Sequence, residues 1–219
     1  MKRVGPLRVK VFEAGAGKVP KGVVNQALRA KEKRMGRTFF ASDFNFRKEE
    51  TLRWFGLKML PSNLRMVEEC SLKELKMLPA ESMDIVFESF FVNKLVWSDP
   101  AKGADFSKAM EYFAQAKKVL KPRGRMILIQ PIGSIDVISA MAKDSGFRVF
   151  VKVLSGKQAL NSPAEYIAKR ATQKGREELF SQDLVNNPTS YSSALSTAKK
   201  YGLRELSDIH LPVAIILRK

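Results

Sequence analysis

The hydrophobic pattern of this chain switches repeatedly between two periods. Short runs, mostly apolar or alternating, fall at residues 7–12, 38–42, 64–68, 83–87, 125–130, 148–153 and 213–217, and each predicts a strand. Between them lie longer stretches with apolar residues at helical spacing. Residues 21–35 place Val23, Val24, Ala27 and Leu28 on one face, and residues 47–58 carry Leu52, Phe55 and Leu57. Residues 105–120 carry an apolar stripe through Phe106, Ala109, Met110, Phe113, Ala116 and Leu120. Asp105 is placed to cap that helix, lysines gather at its end, and Pro122 and Gly124 close it. A further helix is predicted over 134–145, stopped by Gly146.

Alternating strands and helices predict an α/β fold with a largely parallel, doubly wound sheet. The run at 125–130 is nearly all apolar, which suits a central strand covered on both faces. Residues 155–206 are polar, carry Asn186-Asn187-Pro188 and show weak core patterning. They read as an insertion or lid within a single domain spanning 1–219.

Composition narrows the class. No apolar run approaches the roughly 20 residues that span a bilayer. The start of the chain lacks the apolar stretch of a signal peptide, so a cytoplasmic location is expected and no membrane partner. Cys70 is the single cysteine and His210 the single histidine. No disulfide, zinc cluster or other metal site is therefore expected, and His210 reads as a structural residue entering the last strand. The formal net charge is +17, and residues 1–60 hold 15 Lys and Arg against 5 Asp and Glu. Such an excess suits a polyanion, RNA first, through the basic N-terminal region and the insertion; a generally lysine-rich surface gives the same count.

The candidate chemistry begins at Glu13-Ala14-Gly15-Ala16-Gly17, after the first strand. Glycines there allow positive φ and close approach of a ligand, and the next helix offers free N–H groups. Several nucleotide-binding folds share that turn. Glu13 narrows the choice: a carboxylate two residues before Gly15 repels a pyrophosphate and attracts an ammonium group. The third glycine of the dinucleotide fingerprint is also missing, since position 20 is Pro20. Both features weigh against a nicotinamide oxidoreductase. Asp43, ending the second strand, is placed to accept the hydroxyls of a ribose.

In this order, the acidic glycine turn, Asp43, the segment Leu78-Pro79-Ala80-Glu81-Ser82-Met83-Asp84-Ile85-Val86-Phe87 and Leu120-Lys121-Pro122-Arg123-Gly124 resemble the class I S-adenosylmethionine-dependent methyltransferases. The resemblance covers about residues 7–153. It implies a seven-stranded sheet, with S-adenosyl-L-methionine laid across the C-terminal strand edges. It places Glu13 near the methionine amino group, Ala14, Gly15 and Gly17 beneath the cofactor, Asp43 on the ribose and Phe44 flanking the adenine. The loop after the third strand, at Cys70, Ser71 and Leu72, would meet the adenine edge. Val19 stands where the family carries a third glycine, and Arg123 replaces the first glycine of its Pro-Gly-Gly.

The family's acceptor-facing residues follow strand four, here Glu88-Ser89-Phe90-Phe91-Val92-Asn93. Glu88 is the candidate base or hydrogen-bond acceptor and Asn93 the candidate orienting residue. The alternative is that Glu88 contacts cofactor or backbone while Phe90 and Phe91 pack. The Asn/Asp-Pro-Pro-aromatic motif of amino-methylating nucleic-acid enzymes is absent from this position. The expected function is thus methyl transfer, with RNA (tRNA or rRNA) or a protein of the translation apparatus as acceptor. A small-metabolite methyltransferase and an inactive, methyltransferase-like binding module are the alternatives.

Overall fold

A computed structural model gives the fold and describes residues 9–17, 19–89, 91–96, 106–131, 135–153 and 212–219. Thirteen elements follow one another: β1 (Val9–Ala14), α1 (Lys21–Glu32), β2 (Arg37–Ser42), α2 (Lys48–Phe55), β3 (Leu64–Val67), α3 (Ser71–Met77), β4 (Met83–Ser89), α4 (Phe91–Val96), α5 (Ser107–Val119), β5 (Leu120–Pro131), α6 (Ile135–Asp144), β6 (Arg148–Val153) and β7 (Pro212–Arg218). The strands form one sheet in the order β3-β2-β1-β4-β5-β7-β6. All neighbours are parallel except β7, which runs antiparallel to both β5 and β6.

Side-chain alternation along the central strands builds two apolar layers. On one face Phe12, Val86, Met126 and Leu128 pack with Leu75 of α3, Val92 of α4, Tyr112 and Phe113 of α5 and Ile138 of α6. On the other, Val11, Phe39, Phe87 and Ile129 meet Val23, Val24, Ala27 and Ala30 of α1. Each central strand is buried on both sides along its middle, which is why residues 126–129 of β5 read as an unbroken apolar run.

Every predicted strand is present, with ends moved by a few residues. Two short helices were not anticipated. α3 occupies the segment read as the loop at Ser71 and Leu72, and α4 begins within the segment read as acceptor-facing after strand four. Asp105 and residues 155–206 lie outside the described residues. Pro122 and Gly124 do not open a loop after α5: the chain turns extended at Leu120 and enters β5 at once. Lys117 instead secures the end of α6, donating to the carbonyls of Ser145 (3.1 Å) and Gly146 (3.0 Å), where a cation suits the helix dipole. Among the described residues no helix is long and apolar enough to cross a membrane.

The chain winds from β1 outward through β2 and β3, then returns to begin the other half at β4. The β1–β4 junction is therefore where strand order reverses. In open α/β sheets the crevice at the carboxyl ends of such strands is the place where ligands bind.

Candidate functional site

At that junction β1 ends in the glycine turn. Gly15 has φ +64° and Gly17 φ +90°, values in the left-handed region that side chains with a Cβ disfavour. Gly15 is also sterically closed: a Cβ there would lie 3.0 Å from Cδ2 of Phe91. Both requirements come from the same place, since Phe91 opens α4 directly above the turn.

The turn is held from below by polar side chains on β2 and α3. Gly15 N–H donates to Ser71 Oγ (2.9 Å), and Gly17 N–H donates to Asp43 Oδ2 (2.8 Å). Ser71 in turn donates to the Ser42 carbonyl (3.0 Å) and accepts from the Ser42 hydroxyl (3.0 Å). Asp43 Oδ1 accepts from Asn45 N–H (2.9 Å). Ser71 and Leu72 are thus buried in the first turn of α3 rather than in a loop. Ser71 braces the glycine turn, and Leu72 belongs to the core. The signal for α3 was Leu72 and Leu75, three apart.

Glu13 sits beside this network but outside it. It is 6% exposed, and burial lifts its carboxyl from 4.5 to about 8. Among the described residues no hydrogen-bond donor or cation reaches it. Ala14 is buried next to it, completing the strand end. Phe44, 73% exposed, follows Asp43 and leaves its ring open for stacking.

The turn's electrostatics are therefore those of a cation site. Its two glycine N–H groups already have oxygen partners, one of them a carboxylate, and a second carboxylate is buried alongside. A pyrophosphate would find these two N–H groups already taken and the charge unfavourable. Among the described residues Asp43 accepts one hydrogen bond at each oxygen, which leaves about two lone-pair positions to accept hydroxyls.

Glu88 ends β4 fully buried on the α5 side of the sheet. Its Oε2 accepts the backbone N–H of Phe91 (2.6 Å) and of Val92 (3.3 Å), and its Oε1 accepts the Gln130 amide. This is the geometry of a cap that starts α4 and ties β4 to β5. It agrees with the alternative in which Glu88 binds backbone and Phe91 packs, for Phe91 stacks edge-on against Tyr112 with ring centroids 5.1 Å apart. Asn93 lies in α4, close in sequence to the junction, but its side chain is outside the described residues. Sequence reasoning passed over Ser42 and Gln130, whose roles come only from pairing across strands.

A concavity of about 600 Å³ lined by Met110, Glu111, Ala114, Lys117, Lys118, Ser145 and Lys219 lies away from the glycine turn and holds none of these residues. The basic residues closing α1, Arg29, Lys31, Lys33, Arg34 and then Arg37, are exposed at the opposite end of the sheet from the turn.

Neither a protein-family model nor a curated protein matches the sequence. Solved structures match the fold. A SAM-dependent methyltransferase from Archaeoglobus fulgidus is 16% identical, with TM-score 0.52 over 96% of this chain and 86% of that one. The [4+2]-cyclase SpnF is 14% identical, with TM-score 0.52 over 99% of this chain and 76% of its own. A SAM-dependent methyltransferase from Aquifex aeolicus is 18% identical, with TM-score 0.46 over 68% and 77%. The likeness establishes the seven-stranded class I methyltransferase fold. Because a [4+2]-cyclase has it too, the reaction is read from the site.

Proposed function

We propose that this chain is an S-adenosyl-L-methionine-dependent methyltransferase. One observation carries the reading: Glu13, buried with no hydrogen-bond donor or cation reaching it among the described residues, two residues before Gly15 at the switch point of a class I methyltransferase fold. A buried carboxylate needs a cation, and the methionine amino group supplies one. Gly15 and Gly17 give the backbone approach, Asp43 the ribose contacts and Phe44 a face for the adenine. The cofactor would supply an electrophilic methyl on sulfur. The protein's share is to align the acceptor, exclude water and remove a proton where the nucleophile carries one.

Calorimetry with S-adenosylmethionine, S-adenosylhomocysteine and NAD tests this directly. The first two should bind and NAD should not. Absence of heat and of thermal stabilisation at millimolar S-adenosylmethionine would leave the inactive-module reading in its place.

For the acceptor we favour RNA over a protein or small metabolite. The support is the +17 charge, since a protein that meets only small neutral substrates has no need of a polyanion-attracting surface. Labelled cofactor incubated with cell extract and the protein should place the label in RNA. Label confined to protein or to small molecules would overturn this part.

A further inference from the structure

At the end of the sheet away from the glycine turn, three arginines stand side by side on three adjacent strands. Arg125 of β5 pairs in register with Arg218 of β7, and Arg218 pairs with Arg148 of β6. Residues in register share a face, so the three side chains leave the same side of the sheet. All three are exposed. Neighbouring strands lie about 4.8 Å apart, so their Cα atoms span only about 10 Å. Like charges directly opposite each other destabilise a sheet, and here that arrangement occurs twice in succession.

Among the described residues no carboxylate forms an ion pair with any of the three. The acids on β4 and its lead-in are committed elsewhere: Asp84 to Lys121 at 2.8 Å and Glu81 to Lys219 at 3.2 Å. Arg123, two residues before Arg125, is exposed as well.

An aromatic ring completes the patch. Phe150 lies two residues along β6 from Arg148, on the same face, and is 48% exposed. The Arg218 guanidinium sits 5.0 Å from its centroid. A row of guanidinium forks suits phosphate oxygens bidentately, and an open aromatic face beside it suits an unstacked base. An anionic membrane would use the charges too, but one ring offers it little apolar area to bury. Bases in a duplex are already stacked, which leaves a single strand as the better fit.

We infer that Arg125, Arg218, Arg148 and Phe150 form a binding surface for single-stranded RNA, with the arginines on consecutive phosphates and Phe150 against a base. The surface lies apart from the cleft, so it anchors a strand rather than presenting the reacting atom. It deepens the RNA reading above and moves the contact from the α1 basic cluster to the β5–β7–β6 end of the sheet.

The test is fluorescence anisotropy of a labelled 20-nucleotide mixed-sequence RNA with the full-length protein, without cofactor, across a salt series. Working without cofactor keeps the outcome independent of whether the cleft binds S-adenosylmethionine. The variant R125Q/R148Q/R218Q should weaken binding at least about tenfold and flatten the log–log salt slope by about 2–3. The charge-matched control K31Q/K33Q/R34Q should lose no more than a few-fold. R125K/R148K/R218K, which keeps charge and fold, should fall between wild type and the glutamine variant. Phe150→Ala should cost about tenfold for single-stranded RNA and leave binding to polyphosphate unchanged. Equal losses in the two glutamine variants would reduce the patch to net charge and overturn the proposal. So would no binding by the wild type at low salt, or arginine-dependent binding to phosphatidylglycerol vesicles without binding to RNA.

Discussion

Gly17 donates its backbone N–H to the carboxylate of Asp43 at 2.8 Å, joining the turn after β1 to the end of β2. The bond does two things at once. It fixes a residue at φ +90°, and it aims the carboxylate along the strand edge where a ribose would lie.

Asp43→Ala should therefore loosen the turn and remove the hydroxyl acceptor together. We expect about 1–3 kcal/mol of lost stability, as for a hydrogen bond to a charged group, and S-adenosylmethionine affinity at least tenfold weaker. Asp43→Asn keeps one oxygen and should fall between. Calorimetric titration of the three proteins checks the order, and an alanine variant that binds like wild type would remove Asp43 from the site.

Glu13 gives a pH signature. Its carboxyl titrates near 4.5 when unfolded and near 8 when folded without ligand, because burial penalises the charged form. Between those values the folded state holds a proton the unfolded state has released. Stability of the ligand-free protein should then fall as pH rises through this window, by about 1.4 kcal/mol per pH unit at most, and level off above about 8. Glu13→Gln should abolish that slope and raise stability at neutral pH while losing cofactor affinity. An ammonium ligand favours the carboxylate, so cofactor binding to wild type should tighten from pH 6.5 to 8 and release a proton at pH 7. Buffer-dependent binding enthalpy measures that proton; a flat profile would contradict the role given to Glu13.

The parts of this site that were legible in the sequence are those set by local backbone chemistry. Glycines at a strand end announce a turn, and an acid beside them announces a sign of charge. Strand runs such as 125–130 were legible because burial on both faces leaves their middle, here residues 126–129, free of polar residues. What remained hidden depends on strand order. Nothing local to Ser71 says that it lies under Gly15, 56 residues away, and nothing local to Gln130 says that it faces Glu88. The arginine row is the extreme case, since Arg125, Arg148 and Arg218 meet only once β7 inserts between β5 and β6. The short helices α3 and α4 escaped for another reason: at seven and six residues they carry too few turns for a period to stand out.

Gly15 is constrained twice, by φ +64° and by Phe91 at 3.0 Å from any added Cβ. The two costs are separable. Gly15→Ala should destabilise by about 1–2 kcal/mol for the left-handed backbone, with more for the contact. Adding Phe91→Ala should recover the contact part and leave the backbone part. A double-mutant cycle from urea unfolding reads the coupling, and strictly additive effects would mean that Phe91 does not rest on the turn.

Glu88 separates a structural from a chemical role most sharply. Its carboxylate accepts two backbone N–H groups of α4 and the Gln130 amide, the bonds from Val92 and Gln130 being buried and that from Phe91 part-buried. Replacing it with Ala leaves those donors unpaired, at about 1–3 kcal/mol for each one that water cannot reach. Glu88→Ala should therefore lower Tm by about 5–20 °C. Glu88→Gln keeps one acceptor but turns an amide N–H₂ toward other donors, and should lose nearly as much. If Glu88 acts only by starting α4, activity at low temperature should follow the folded fraction, and the pH–rate profile should keep its shape. A Gln variant that folds with wild-type Tm yet loses methyl transfer across the acid limb of that profile would identify Glu88 as the base instead.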